Sequence, residues 1–164
     1  MSGTNAGTYN MGLRPTDFAN TNNNFANVTF VIVDGQLVIK PIDVTVTITE
    51  HGATVDYNGQ EQTVTGYDVT SIQIGGQSTT LYTDADFTFS GDSTVSGTNA
   101  GTYDMELKST DFANTNENFA NVTFTIVDGQ LVIGQITAHV TIKGNNDTRD
   151  YDGEEHTVTG YSAT

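Results

Sequence analysis

Val44-Thr45-Val46-Thr47-Ile48-Thr49 alternates β-branched apolar residues with threonine, a period of two that lines one face of an extended strand with apolar side chains and the other with hydroxyls. Outward from this stretch the same reading recurs. Val122, Phe124 and Ile126 alternate with Thr123, Thr125 and Val127. Further strands are expected at Gln62 to Thr70, Ser71 to Ile74, Thr79 to Tyr82, Asp86 to Phe89 and Gly101 to Leu107, each bounded by Gly, Asn, Asp or Ser. Asp128-Gly129 reads as a tight two-residue turn, so Val122 to Val127 is expected to pair antiparallel with Gln130 to Ile133. Asp34-Gly35 repeats that signal. No window places apolar residues at helical spacing over three turns, so no long helix is expected. Ser109 to Ala120 is the one exception, as a single helical turn or a wide loop that pins Phe112 and Phe119 to the core. Short strands separated by turn residues every ~8–12 positions predict an all-β, immunoglobulin-like β-sandwich arranged as tandem repeats.

The repeat is written in the chain. Ser2 to Thr70 aligns without a gap onto Ser96 to Thr164, an offset of 94 residues, with about two-thirds of the pairs identical. A near-identical unit of this size indicates duplication of a folding unit. Ser71 to Val95 occurs once. Pro41 and its counterpart Gln135 each precede a new alternating run and are read as linkers. The expected division is therefore 1–40 as the C-terminal part of one repeat, 41–135 as a complete repeat and 136–164 as the N-terminal part of the next, both ends falling inside neighbouring repeats.

Five basic against twenty acidic residues give a net charge of −15, which repels nucleic-acid phosphates and anionic membrane surfaces. Cysteine is absent, which excludes disulfides and thiolate metal sites. No segment has the apolar length of a membrane-spanning helix, and no signal-peptide pattern follows Met1. No nucleic-acid partner and no membrane insertion are expected.

Specific motifs carry a family resemblance. Tyr151-Asp152-Gly153 precedes His156-Thr157-Val158-Thr159-Gly160-Tyr161, and Gly97-Thr98-Asn99-Ala100-Gly101-Thr102-Tyr103 precedes Asp128-Gly129-Gln130-Leu131. In this order they resemble the MBG domains, mostly-β, glycine-rich Ig-like repeats found in tandem in bacterial surface proteins and adhesins. The central repeat departs from the pattern with Tyr57-Asn58-Gly59, and with Val55 where the other copy has Arg149. The resemblance marks Tyr57, Gly59, Gly66, Tyr67, Gly97, Gly101, Tyr103, Asp128, Gly129, Tyr151, Gly153, Gly160 and Tyr161 as structural motif positions. It implies an extracellular, cell-surface setting and stalk or adhesin architecture, and by itself no chemistry.

Candidate chemistry is sparse. His51, His139 and His156 align with Asn145, Thr45 and Gln62, so a histidine site common to the copies is excluded. Asp84, Asp86 and Asp92 are weak calcium candidates that lack the ligand spacing of an EF-type loop. Asp and Asn in loops ordinarily cap backbone. No G-x-S-x-G elbow is present, and Glu154-Glu155 aligns with Gln60-Glu61; no enzymatic activity, shared metal or cofactor is expected. Isopeptide cross-links are disfavoured because Lys40, Lys108 and Lys143 align with Gly134, Arg14 and Thr49. The aromatic residues recur in register, as core packing requires.

Two functions remain in view. One is a stalk or spacer whose partners are neighbouring repeats. Its cut ends are expected to expose strand edges, so that the tail of one molecule complements the head of the next in a head-to-tail filament. The other is an adhesin module presenting loops to a host protein or glycan.

Overall fold

The computed structural model describes residues 1–164. Its strands are β1 (Gly7–Asn10), β2 (Gln36–Ile39), β3 (Ile42–Glu50), β4 (Ala53–Asp56), β5 (Gln62–Thr65), β6 (Tyr67–Ile74) and β7 (Gln77–Ser78). They continue as β8 (Phe87–Phe89), β9 (Thr94–Gly97), β10 (Gly101–Asp104), β11 (Phe112–Asn114), β12 (Phe119–Val127), β13 (Gln130–Gly134), β14 (Ile142–Gly144) and β15 (Tyr161–Ala163). The only helical elements are three-residue 3-10 turns at Pro15–Asp17, Asp84–Asp86 and Ser109–Asp111. The fold is all-β, as the period-two runs predict.

The alternation of β3 sorts its side chains as expected: Val44, Val46, Ile48 and Glu50 are buried. β3 is central in a sheet of order β12-β3-β6-β7, while β10-β13-β4 and the pairs β5-β9 and β8-β11 complete the sandwich. β12 runs parallel to β3, and β13 runs parallel to β4. One sequence offset holds through both ladders, with Val122 opposite Val44, Val127 opposite Thr49, Leu131 opposite Ala53 and Gly134 opposite Asp56. The two neighbouring passages therefore leave one sheet and enter the other together, at His51-Gly52 and Asp128-Gly129.

This overturns the expected hairpin. β12 and β13 are not hydrogen-bonded neighbours; β13 pairs antiparallel with β10 instead. Neither Asp128 nor Gly129 has the positive φ that a tight primed turn requires. Gly129 serves a different need, close approach: a Cβ there would collide with the His51 carbonyl oxygen and lie 2.7 Å from that of Glu50. Four other strand expectations also shift. Gln62 to Thr70 divides at Gly66, and Ser71 to Ile74 is the end of β6 rather than a separate strand. Thr79 to Tyr82 is not a strand; Leu81 N–H turns back onto Thr79 Oγ1 and Tyr82 plugs the core. Gly101 to Leu107 stops pairing at Asp104, and Glu106 takes φ 64° between the buried Met105 and Leu107.

Every buried residue lies between Val44 and Ile133. Phe112 sits at the centre of an aromatic cluster, with ring centroids 5.0 Å from Phe89, 5.2 Å from Tyr67, 5.3 Å from Phe124 and 5.9 Å from Phe87. Tyr82 meets Phe119 edge to face at 4.8 Å. The Ser109–Asp111 turn delivers Phe112 to this cluster, and the following loop delivers Phe119, as the sequence suggests. Each large apolar side chain buried here contributes about 1.5–3 kcal/mol.

Candidate functional site

The most deeply enclosed polar side chain is Glu50, whose position the parity of β3 points inward. Its two oxygens are both occupied. Oε1 accepts the Leu107 N–H at 2.6 Å and Oε2 accepts the Gly129 N–H at 2.7 Å. The carboxylate thus closes the point where the paired strands change sheets, satisfying donors that no ladder reaches. The sequence carries the signal for this residue, because Glu50 continues the inward series Val44, Val46, Ile48.

His51 lies beside it on the surface. His51 N–H donates to the Gly66 carbonyl at 3.1 Å, and Nδ1 lies 2.7 Å from the Thr65 carbonyl. In the second copy Asn145 N–H donates to Gly160 O at 3.2 Å and Asn145 Nδ2 donates to Thr159 O at 2.9 Å. The position therefore demands a side-chain donor, and either residue type supplies one. Donation to Thr65 and the nearby Asp68 carboxylate, 3.3 Å from Nε2, raise the His51 pKa above its ordinary value. Gly66 and Gly160 turn the chain with φ of 94° and 87°, which explains why a glycine precedes Tyr67 and Tyr161 in the repeated motif.

Gly97, Gly101 and Tyr103 form a second framework. The Tyr103 ring lies across the buried Gly97, where a Cβ would penetrate the ring, and its hydroxyl donates to Asn99 O at 3.0 Å. This braces the arch between β9 and β10 as a tyrosine corner does, through a hydrogen bond to backbone a few residues upstream. Tyr9 closes the same arch in the first copy, donating to Asn5 O at 2.9 Å.

A ladder of asparagines forms the third. Asn116 N–H donates to Asn114 Oδ1, Asn118 N–H donates to Asn116 Oδ1, each at 3.0 Å, and Asn114 Nδ2 donates to Phe119 O. Asn20, Asn22 and Asn24 repeat the two backbone donations at the same 3.0 Å. The signal for this ladder is an asparagine at every second position in both copies.

The calcium candidates are not brought together. No group of three or more His, Asp or Glu side chains forms a cation cage. Asp86 is a cap: Oδ2 accepts the Thr83 N–H at 2.8 Å and its hydroxyl at 3.1 Å, while Oδ1 accepts Asn116 Nδ2 at 2.8 Å. The Asn116 donation, with those from Thr83, holds its carboxyl below the usual aspartate value. Asp84 opens the same 3-10 turn, and Asp92 lies in the bend before β9. Tyr82, held by burial, has its hydroxyl pushed up to about 12 and donates to Asp86 O and Asn114 Oδ1. Tyr57 and Gly59 occupy the loop between β4 and β5; their counterparts Tyr151 and Gly153 are exposed, as is Tyr161.

The family profile of the MBG domain matches residues 43–144. Neither a curated protein nor a solved structure matches the chain. The match covers the two-sheet crossing, the glycine-tyrosine turn at Gly66-Tyr67 and the tyrosine corner at Gly97 to Tyr103, and the chain belongs to the MBG domain family, a non-catalytic all-β repeat family of bacterial surface proteins.

Proposed function

We propose that the chain is a stalk segment: tandem sandwich repeats that hold another part of an extracellular bacterial surface protein away from the cell, without chemistry of their own. The observation that carries this reading is the return of whole frameworks at the 94-residue offset. β1–β2 pairs Gly7 with Ile39 as β10–β13 pairs Gly101 with Ile133. β14–β15 pairs Ile142 with Ala163 as β3–β6 pairs Ile48 with Val69. Conserving the scaffold through each period is what a spacer needs, since its output is length. Arrays of two, four and six periods measured by small-angle X-ray scattering should lengthen by a constant increment per period. Micromolar binding of this chain to a glycan array or to host cells would overturn the reading in favour of an adhesin module.

Self-association belongs to the same proposal. Val31 and Val33 are 84% and 92% exposed, and Val140 and Ile142 are 66% and 59% exposed. The β3–β12 register, moved by one repeat, places residues 28–33 of one molecule opposite 138–143 of another. The expected product is a head-to-tail filament with parallel pairing at that edge. A charge of −15 per chain opposes it, so association should strengthen with salt. Sedimentation of a strictly monomeric species at high micromolar protein and 0.5 M salt would rule it out.

A further inference from the structure

The Asn ladder and the tyrosine corner meet across the junction between repeats. Asn118 of the complete repeat takes hold of the preceding corner: Ala6 N–H donates to Asn118 Oδ1 at 2.6 Å, and Asn118 Nδ2 donates to Asn5 Oδ1 at 3.3 Å. The backbone donor fixes the orientation of the amide, because only its oxygen can face Ala6 N–H. The Asn118 carbonyl also accepts Ile42 N–H at 3.1 Å, tying down the first residue of β3, two residues after β2 ends at Ile39. One asparagine thus engages the corner of one repeat and the linker that joins it to the next.

The chain contains its own control. Asn5-Ala6 and Asn99-Ala100 are the same corner, each braced by a tyrosine hydroxyl on the asparagine carbonyl. Ala6 is half-buried and Ala100 exposed; Asn118 is half-buried and its counterpart Asn24 exposed. Asn99 and Ala100 are exposed, and only the first corner has an Asn ladder on it. Around the second corner, Tyr57, Gln135 and Ile136 line an open hollow with Asn99 and Ala100.

We infer that the tyrosine corner is the docking surface for the following repeat, that the occupant at Asn99-Ala100 is the third asparagine of the next repeat's ladder, and that this two-bond clamp sets the angle between successive repeats. The inference deepens the stalk reading, for it makes the stalk stiff at each joint. It also accounts for the near-identity of Asp17 to Asn27 with Asp111 to Asn121, since every ladder must fit every corner.

Amide hydrogen exchange on the full chain, at dilute protein and low salt where sedimentation gives a monomer, tests the clamp. Ala6 should exchange at least tenfold more slowly than Ala100, and Asn118→Ala should bring Ala6 up to the Ala100 rate while core amides such as Val46 keep their protection. Asn118→Asp, which retains the acceptor but loses the donor to Asn5, should give an intermediate rate. In a chain where Gln135 is followed by a further copy of residues 42–134, Ala100 should become as protected as Ala6. Equal exchange of Ala6 and Ala100 in the original chain, or an Ala100 that stays unprotected in the extended one, overturns the clamp. Either result leaves the stalk reading standing if arrays still lengthen by a constant increment, whereas glycan or host-cell binding defeats the stalk reading without touching the clamp.

Discussion

Phe112 and Phe18 occupy the same place in the repeat, yet Phe112 is 5% exposed and Phe18 42%. The pairs Phe119 and Phe25, Tyr67 and Tyr161, and Leu131 and Leu37 differ in the same direction. Residues 119–127 form a nine-residue strand, while their nearly identical counterparts at 25–33 form none. The Asn ladder, the tyrosine corner and the glycine-tyrosine turn, by contrast, are built in both copies. What both copies build is closed by hydrogen bonds within a single copy. What is lost depends on a parallel partner some eighty residues away, since β12 exists as a strand because β3 lies beside it. The comparison separates local from non-local structure within one sequence.

Phenylalanine truncation should break the symmetry most. Phe112→Ala removes the ring at the centre of the aromatic cluster and should cost about 3–5 kcal/mol, read as a lowered urea midpoint at unchanged slope. Phe18→Ala removes a ring that meets Phe30 at 5.6 Å on an exposed segment and should change stability by less than about 0.5 kcal/mol, as surface substitutions do. Equal costs at the two sites would mean that residues 1–40 complete a core of their own in solution.

Glycine substitution sharpens the comparison at the sheet crossing. Gly129→Ala forces a methyl group against the backbone oxygens of His51 and Glu50, which cannot yield as a flexible side chain would, and should cost about 1–3 kcal/mol. Gly35→Ala meets nothing closer than Met11 Cε at 3.5 Å and should be within about 0.5 kcal/mol of neutral. Thermal unfolding of the two variants distinguishes a glycine kept for close approach from one kept for turn geometry, because a hairpin role would make both costly.

These sites show how far the sequence was legible. Val44 to Thr49 announced β3 and its buried face because alternation is a property of adjacent residues. The corner glycines and tyrosines were marked through the family resemblance, and at Gly97, Asn99 and Tyr103 the contacts do lie within a few residues. Asp128-Gly129 was misread because the dipeptide favours positive φ in isolation, whereas here a remote carboxylate, Glu50, claims the Gly129 N–H and keeps the strand running forward. Asn118 was visible only as part of the Ser109 to Ala120 turn or loop, since its partners Asn5 and Ala6 lie more than a hundred residues earlier in the chain.

The smallest expected effect is at His51, where the copies differ in residue but agree in hydrogen bond. His51→Asn copies Asn145 and keeps a donor for Thr65 O, so the crossing should remain intact. What changes is pH dependence. The folded-state pKa of His51 is raised, chiefly by the bond to Thr65 O and then by Asp68, so the folded state favours the protonated ring. That contribution is fully present below the unfolded value near 6.5 and is lost as pH rises through the higher folded pKa. The wild type should therefore melt slightly above His51→Asn at pH 5.5 and converge with it by pH 8.5, the gap remaining small because the ring and Asp68 are both open to solvent. An NMR titration of the ring should place its midpoint above 6.5. A midpoint at or below that value, or a melting gap that grows toward high pH, would show that His51 acts as a neutral donor alone, and that the two copies are equivalent at this position in charge as well as in geometry.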